Sequence, residues 1–212
     1  IGNREKTESV WRSKFYQEEN GDLYPTHGLA PLCMMAGINR KDRVKSLTSF
    51  ASKAAGIYQY IKDLGGNTDV KVRLGDVVVT PLETENGILI SLTHDTTLPR
   101  PRSLDFEVQG TKGIWQGDRR MIYIEGLSPD ETWEADSAYV DRYEHIYWQQ
   151  WGSDALKVDT HHQGMDYIML KALEADLKDE ISFPATLSDL ALWTSVTPWS
   201  KLSIAEGRKV DL

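Results

Sequence analysis

A chain of 212 residues, 40% hydrophobic and 26% charged, is long enough to bury a core of ordinary globular composition. Its net charge of −8, from 32 acidic and 24 basic residues, argues against nucleic acid or an anionic lipid surface as a partner. No stretch approaches the roughly 20 consecutive apolar residues that cross a bilayer. The single cysteine excludes an intramolecular disulfide.

The first third of the chain predicts a mixture of helix and strand. In chain order the expected elements are a polar, partly irregular segment (1–23), a helix (26–37), a strand (43–52) and a second helix (54–63). The first helix has Thr26 as its expected cap and closes at Gly37. The second helix ends at a glycine pair, which terminates helices readily.

The middle and last thirds predict strands followed by helices. The expected strands are 76–80, 87–95, 103–109 and 120–125, and the expected helices are 136–152, 164–179 and 187–193. Ile88, Ile90 and Leu92 alternate at period two, which is typical of a sheet covered on one side. Successive strands without helices between them favour an α+β fold, with an open, mainly antiparallel β-sheet and helices packed on one face. We expect one domain over residues 1–212.

The sequence has no recognisable phosphate cradle. Neither G-x-G-x-x-G after a strand nor a Walker-type loop occurs anywhere in it. If the protein uses a dinucleotide, we expect another domain to bind it, and no cofactor-binding residue is expected in this chain.

The most unusual local string runs from Asn20 to Pro31 and reads Asn-Gly-Asp-Leu-Tyr-Pro-Thr-His-Gly-Leu-Ala-Pro. Its prolines and glycines restrict the backbone around Tyr24 and His27, which favours a rigid support for proton-transfer groups. A tyrosine and a histidine three residues apart at the start of a helix could share one substrate. The alternative, which spacing alone leaves open, is a helix cap with a core tyrosine and a structural histidine.

This string gives the sequence its family likeness. With Trp11-Arg12 before it, Arg100-Pro101 and His162-Gln163-Gly164-Met165-Asp166 after it, and Trp193-Thr194-Ser195-Val196 near the end, the chain resembles the C-terminal domain of the NAD-dependent α-N-acetylgalactosaminidases. Those glycoside hydrolases belong to the glucose-fructose oxidoreductase and inositol dehydrogenase superfamily. The resemblance implies that an N-terminal Rossmann domain, absent from this chain, binds NAD.

The resemblance also implies a redox route to glycoside cleavage. NAD⁺ takes hydride from sugar C3, the ketone acidifies C2, the aglycone leaves by elimination, water adds and the hydride returns. Carried over by position, Tyr24 and His27 would be the catalytic proton-transfer groups at C2 and C3, and Arg12 would bind substrate oxygens. An isolated chain without its cofactor domain is expected to be inactive.

Four further residues are substrate-binding candidates by position. Arg100 precedes a proline that the family shares, and Arg102 stands where the family usually has a tyrosine. His162 and Asp166 lie in the turn that the family writes His-Gly-Gly-Met-Asp, with Gln163 replacing a glycine. These departures leave the identity of the sugar and its anomer open.

Other functions remain as alternatives. The first is a sugar oxidoreductase of the same superfamily with net hydride transfer, and the second is a non-catalytic carbohydrate-binding domain. A paired-carboxylate hydrolase has no specific signal among 32 acidic residues. A metal site from His94, Asp95, His161 and His162 lacks any known ligand spacing, so no metal is expected.

The resemblance adds two expectations about context. Superfamily members commonly form homo-oligomers through the open face of the sheet, and Ile88, Ile90 and Leu92 are the residues expected to be buried there. Family members are often exported in Gram-negative bacteria, which leaves periplasmic and cytoplasmic locations both open.

Overall fold

The computed structural model describes residues 8–158 and 162–212. The helices are α1 (Glu8–Glu18), α2 (Thr26–Ala36), α3 (Gly56–Asp63), α4 (Ser137–Tyr143), α5 (Ile146–Val158), α6 (Met165–Leu177) and α7 (Leu187–Glu206). The strands are β1 (Val44–Leu47), β2 (Phe50–Ala51), β3 (Val77–Thr84), β4 (Leu89–Asp95), β5 (Glu107–Gly110), β6 (Gly113–Gln116), β7 (Met121–Ile124), β8 (Glu134–Ala135) and β9 (Val210–Asp211). No helix within these described ranges is long and apolar enough to cross a membrane.

The chain divides into two compact units. The first combines the residues up to Leu104 with Leu187–Leu212, and the second is Asp105–Thr186. The α+β class and the mainly antiparallel strands are confirmed, but the strands are shared between two sheets, one in each unit. The expectation that residues 1–212 act as one substrate-binding domain of a longer protein stays a prediction.

The first unit is built on a five-stranded sheet. β3 lies at its centre, with β4 along one side and β1 followed by β2 along the other, and β9 pairs outside β1. Helices α2 and α7 pack together and cover one face. Side chains on that face are buried, among them Val78, Leu82 and Ile90, because they lie under the helices.

On the opposite face of this sheet the β3 side chains are half-buried and most of the β4 side chains are exposed, and this face carries different residues from those expected. Ile90 and Leu92 are only 6% and 5% exposed because they lie on the face covered by the helices, so their assignment to an intersubunit face was wrong. The uncovered face instead presents Phe50, which pairs with Val79, and Leu89. Their exposed fractions are 65% and 78%.

The second unit contains an antiparallel meander and three helices. Strands β5 to β8 pair in sequence order, and Thr111 and Lys112 form the predicted turn between β5 and β6. Helices α5 and α6 pack closely because small residues meet: a Cβ added to Gly164 would lie 2.9 Å from that of Ala155. The predicted helix over 136–152 is interrupted at Glu144 and His145.

The irregular segment predicted before Leu23 is mostly helical where the structure describes it, and residues 1–7 lie outside the described chain. Helix α1 gains support from pairs spaced four residues apart. The rings of Trp11 and Phe15 lie 6.4 Å apart, and Lys14 forms an ion pair with Glu18. The helix was not predicted because its composition is polar. Little of its surface is buried, so the sequence lacks the regularly spaced apolar residues that indicate a helix.

Candidate active site

Tyr24 and His27 lie side by side at the start of α2. Pro25 occupies the N-cap position, and its carbonyl accepts hydrogen bonds from the N–H groups of Gly28 and Leu29 at 3.2 and 2.8 Å. Thr26 was predicted as the cap, but it is the first helical residue, and no side chain caps the helix. The proline fixes the backbone torsion that the first turn needs, so a side-chain cap is dispensable.

The two rings face solvent and each other. Their centroids are 4.6 Å apart with an interplanar angle of 30°, and Tyr24 is 51% exposed. His27 is exposed as well. Both polar groups are therefore accessible to a ligand, whereas the alternative of a core tyrosine would have required a buried ring.

Arg12 reaches the same place from α1. Its guanidinium carbon lies 5.8 Å from the centroid of the Tyr24 ring and 5.1 Å from that of Trp11. Both distances are within the range of cation–π attraction. The structure thus brings three of the predicted site residues into one exposed group, which we call the Arg12–Tyr24–His27 cluster.

A buried acid accepts a hydrogen bond from the backbone of this cluster. Asp22 is 2% exposed, and its Oδ1 accepts a hydrogen bond from the backbone N–H of Tyr24 at 3.2 Å. Burial raises the pKa of the Asp22 carboxyl to about 6, although the hydrogen bond from Tyr24 acts in the opposite direction. Asp22 was not among the predicted site residues, and its place between Gly21 and Leu23 in the unusual string was the available signal.

The segment that carries Asp22 is attached to helix α7. The N–H of Asp22 donates to the hydroxyl oxygen of Ser200 at 2.9 Å, and Glu19 pairs with Lys201 at 2.5 Å. A Cβ on Gly21 would lie 2.6 Å from Cγ of Lys201, so only glycine permits this close approach. Tyr24 is therefore positioned by contacts with the last long helix of the chain.

The two arginines after β4 differ in their surroundings. Arg100 pairs with Asp95 at 3.5 Å and also donates to the hydroxyl of Ser103, so part of its guanidinium is already engaged. Arg102 is exposed in the loop that follows. Both belong to the first unit.

His162 and Asp166 form a pair in the second unit. His162 Nδ1 and Asp166 Oδ2 are 2.7 Å apart across the start of α6. Gln163 and Gly164 between them have φ values of +55° and +89°. A glycine adopts such torsions without strain, which gives a physical reason for the glycine that the family carries in place of Gln163. His161 lies outside the described residues.

His94 is a buried member of β4. Burial lowers the pKa of its imidazole to about 4, while the nearby Asp95 carboxylate acts in the opposite direction. The ring is therefore neutral near pH 7. Within the described residues, no three His, Cys, Asp or Glu side chains are arranged to hold a metal ion.

The described sheets lack the arrangement of a Rossmann-type dinucleotide site. Every pair of neighbouring strands in them is antiparallel. A Rossmann-type site needs a parallel βαβ unit with a glycine-rich turn at the helix N-terminus. The described sheets therefore contain no Rossmann-type dinucleotide site.

The chain matches a known protein family over almost its whole length. A family model described as "Glycosyl hydrolase 109, C-terminal domain" matches residues 1–211. The chain belongs to this family. Among curated relatives, a glycosyl hydrolase family 109 protein of Stenotrophomonas maltophilia is 43% identical over 204 residues. A protein of Tannerella forsythia named alpha-N-acetylgalactosaminidase is 36% identical over 208 residues.

These relatives are considerably longer than this chain. The two alignments cover 94% and 96% of this chain but only 44% of each relative. The chain therefore spans less than half of the length of the proteins that it matches.

Solved structures resemble the chain in fold. An inositol dehydrogenase homolog complexed with NAD⁺ from Azotobacter vinelandii matches 97% of this chain and 53% of its own, with a TM-score of 0.56 and 16% identity. An oxidoreductase from Agrobacterium radiobacter in complex with NAD⁺, L-tartaric acid and magnesium matches 95% and 53%, with a TM-score of 0.51 and 15% identity. The dehydrogenase-type fold expected for family 109 is confirmed.

Proposed function

We propose that this chain is the substrate-binding part of an NAD-dependent glycosidase that cleaves (N-acetyl)hexosaminides by oxidation, elimination, addition and reduction. The observation that carries the proposal is the exposed Arg12–Tyr24–His27 cluster, which holds a phenol, an imidazole and a guanidinium at one helix start. The name of the Tannerella forsythia relative supports the substrate class. The NAD⁺ in the inositol dehydrogenase homolog supports the cofactor.

The proposed chemistry divides the work between this chain and a cofactor domain outside it. NAD, bound mainly by a domain outside this chain, would supply a hydride acceptor that later returns the hydride. The residues of this chain would bind the sugar and move protons. Because no net oxidation results, the enzyme would be a hydrolase despite its dehydrogenase-type fold.

Tyr24 and His27 are suited to the proton transfers. A phenol and an imidazole are each able to donate or accept a proton, and the 4.6 Å between their rings allows both to reach adjacent carbons of one pyranose. We assign to them the removal of protons at the C3 hydroxyl and at C2. The start of α2 contributes partial positive charge, which stabilises negative charge on an oxygen developing there.

Arg12 is assigned to substrate binding. A guanidinium carries five N–H donors in a planar fork, which suits it to binding the oxygens of a sugar. Its carbon lies 5.8 Å from the centroid of the Tyr24 ring, beside the proposed proton-transfer groups. Arg100, Arg102, His162 and Asp166 stay substrate-binding candidates of the same proposal.

Solvent deuterium provides the test of this route. If C2 is deprotonated during turnover, the full-length enzyme acting on an N-acetylgalactosaminide in D₂O will release sugar that carries deuterium at C2, detectable by NMR. A hydrolase that uses two carboxylates never breaks the C2–H bond. Released sugar with only protium at C2 would contradict the proposal.

A sugar oxidoreductase is the second candidate, and the NAD⁺-bound oxidoreductase fold favours it. The two are separated by their products. Steady accumulation of NADH with an oxidised sugar indicates the dehydrogenase, whereas aglycone release without NADH accumulation indicates the glycosidase. A non-catalytic carbohydrate-binding domain gives neither product.

We also propose that the protein is a homo-oligomer through the uncovered face of the first sheet. Phe50 and Leu89 are large apolar side chains exposed on that face, and burying them against a second copy would be favourable. Sedimentation analysis of the full-length protein and of its Phe50→Glu variant tests this. A full-length protein that is monomeric before any substitution would contradict the proposal.

A further inference from the structure

Asp22 is a buried acid directly behind the candidate site. Its carboxylate oxygen Oδ1 lies 3.2 Å from the backbone nitrogen of Tyr24, and its side chain is almost completely shielded from solvent. No role in binding or catalysis was assigned to it above. Its contact with Tyr24 is through the backbone, so it can act on the reacting groups only by fixing their position.

The contacts between Asp22 and helix α7 fix the position of the segment. The Ser200 hydroxyl accepts the Asp22 N–H and donates to the carbonyl of Thr197, so the hydroxyl is fixed within α7. Gly21 lies against Lys201 too closely for any larger residue. The hydrogen bond from Tyr24 to the Asp22 carboxyl therefore connects the Tyr24 backbone to a segment that is itself fixed.

The strength of that hydrogen bond depends on the charge of Asp22. An ionised carboxylate accepts a hydrogen bond roughly twice as strongly as a neutral acceptor does. Burial raises the pKa of this carboxyl to about 6, so its charge changes close to physiological pH. Among the described residues, charged or titratable side chains in contact with the segment include Arg12, Glu19, His27 and Lys201. Asp76 follows Gly75, whose N–H donates to the Asn20 side chain.

We propose that Asp22 is a positioning residue whose ionised carboxylate holds the Tyr24 backbone in register with His27, and that protonation of Asp22 loosens this arrangement. The functional part of this inference rests on the proposed function of Tyr24 and His27. The structural part is independent of it. Activity should therefore be lost on acidification before the fold itself is lost.

The backbone amide of Tyr24 reports the structural part directly. In full-length protein labelled with ¹⁵N-tyrosine, the Tyr24 resonance is identified by its disappearance in Tyr24→Phe. We expect its chemical shift to titrate with a midpoint of about 6, the pKa of Asp22. The titration should be absent in Asp22→Asn, which keeps an acceptor oxygen but cannot ionise.

His27→Gln is the matched control because the imidazole lies against the Tyr24 ring and could itself shift the resonance. The Tyr24 titration should persist in His27→Gln. A titration that survives in Asp22→Asn, or that vanishes in His27→Gln, would overturn the inference. If Asp22→Asn does not fold, the comparison of wild type with His27→Gln still tests the inference. A Tyr24 titration that vanishes in His27→Gln would assign it to the imidazole rather than to Asp22.

Activity supplies the second measurement. Taking the ratio of wild-type kcat to Asp22→Asn kcat at each pH removes any contribution of His27 common to both enzymes. We expect this ratio to rise by ~3- to 10-fold from pH about 5 to about 7.5, because small misplacements of reacting groups are costly. A kcat ratio that does not change with pH would contradict the functional role of Asp22. An enzyme inactive on every N-acetylhexosaminide would instead count against the proposed function, while the amide titration would remain decisive for Asp22.

Discussion

The backbone N–H of Asp22 donates a hydrogen bond to the hydroxyl of Ser200, 178 positions further along the chain. This bond joins the segment that presents Tyr24 to the middle of α7. Helix α7 also packs against β1, β2 and β9, so the segment is connected to the sheet through one long helix. Substitutions in this contact should affect both stability and the geometry of the site.

Gly21→Ala is expected to destabilise the protein by ~1–3 kcal/mol, the usual cost of inserting a methyl group into a closely packed contact. The new Cβ would overlap Cγ of Lys201 and lie 2.8 Å from the hydroxyl oxygen of Ser200. Urea denaturation measures the change. Gly110→Ala is the matched control, since nothing lies within 4 Å of its added Cβ, and an equal loss in both variants would contradict the account.

Asp76 should stabilise the N-terminus of helix α3. Its carboxylate accepts hydrogen bonds from the N–H groups of Ala55 and Gly56 at 2.6 and 2.7 Å, and from the Thr97 hydroxyl at 2.6 Å. We expect Asp76→Ala to cost about 2 kcal/mol, as loss of a strong N-cap does. A denaturation midpoint unchanged from wild type would show that the cap contributes little.

Asp22 and His94 should give opposite pH dependences of stability over the same range. Burial raises the pKa of Asp22 from 3.8 to about 6, so the folded state binds the extra proton and stability falls as pH rises through this window. Burial lowers the pKa of His94 from 6.5 to about 4, so the unfolded state binds the extra proton and stability rises with pH. Each effect is worth ~3 kcal/mol, so they nearly cancel in wild type.

Single substitutions separate these two effects. Asp22→Asn should leave the His94 effect, and its free energy of unfolding should increase between pH about 4 and about 6.5. His94→Gln should leave the Asp22 effect and show a decrease over a similar range. Urea denaturation at several pH values measures both, and slopes of the same sign in the two variants would contradict the assignment.

Tyr24→Phe and His27→Ala should each lower turnover of the full-length enzyme by ~10²- to 10⁴-fold, the usual contribution of a positioned acid or base. NAD⁺ affinity should be nearly unchanged because we assign both residues to the sugar. Steady-state kinetics and cofactor titration check the two parts. Loss of NAD⁺ binding in either variant would mean that the cluster contacts the cofactor rather than only the sugar.

Local patterns predicted local structure well. The helices at Thr26–Ala36 and Met165–Leu177 and the turn at Thr111 and Lys112 follow from spacing and turn residues within a few positions. The α+β class follows from successive strands without intervening helices. The adjacency of Tyr24 and His27 follows from their three-residue spacing at a helix start.

Features that depend on distant contacts were not predictable from local patterns. The pairing of β9 with β1 and the bond between Asp22 and Ser200 each join opposite ends of the chain. The face on which Ile90 and Leu92 lie depends on where α2 packs, because an alternating strand does not specify which of its faces is covered. Asp76 caps a helix that begins twenty positions before it, so no nearby motif indicated its role.

The most direct test of the central claim compares full-length protein with the isolated chain. Each is supplied with NAD⁺ and p-nitrophenyl N-acetylgalactosaminide, and p-nitrophenol release is measured. Hydride transfer needs the reacting atoms ~3–3.5 Å apart, and we propose that a cofactor domain outside this chain imposes that distance. We predict release by the full-length protein and none by the isolated 212-residue chain. Release by the isolated chain at a comparable rate would contradict the account, because the active site would then be complete without a cofactor domain.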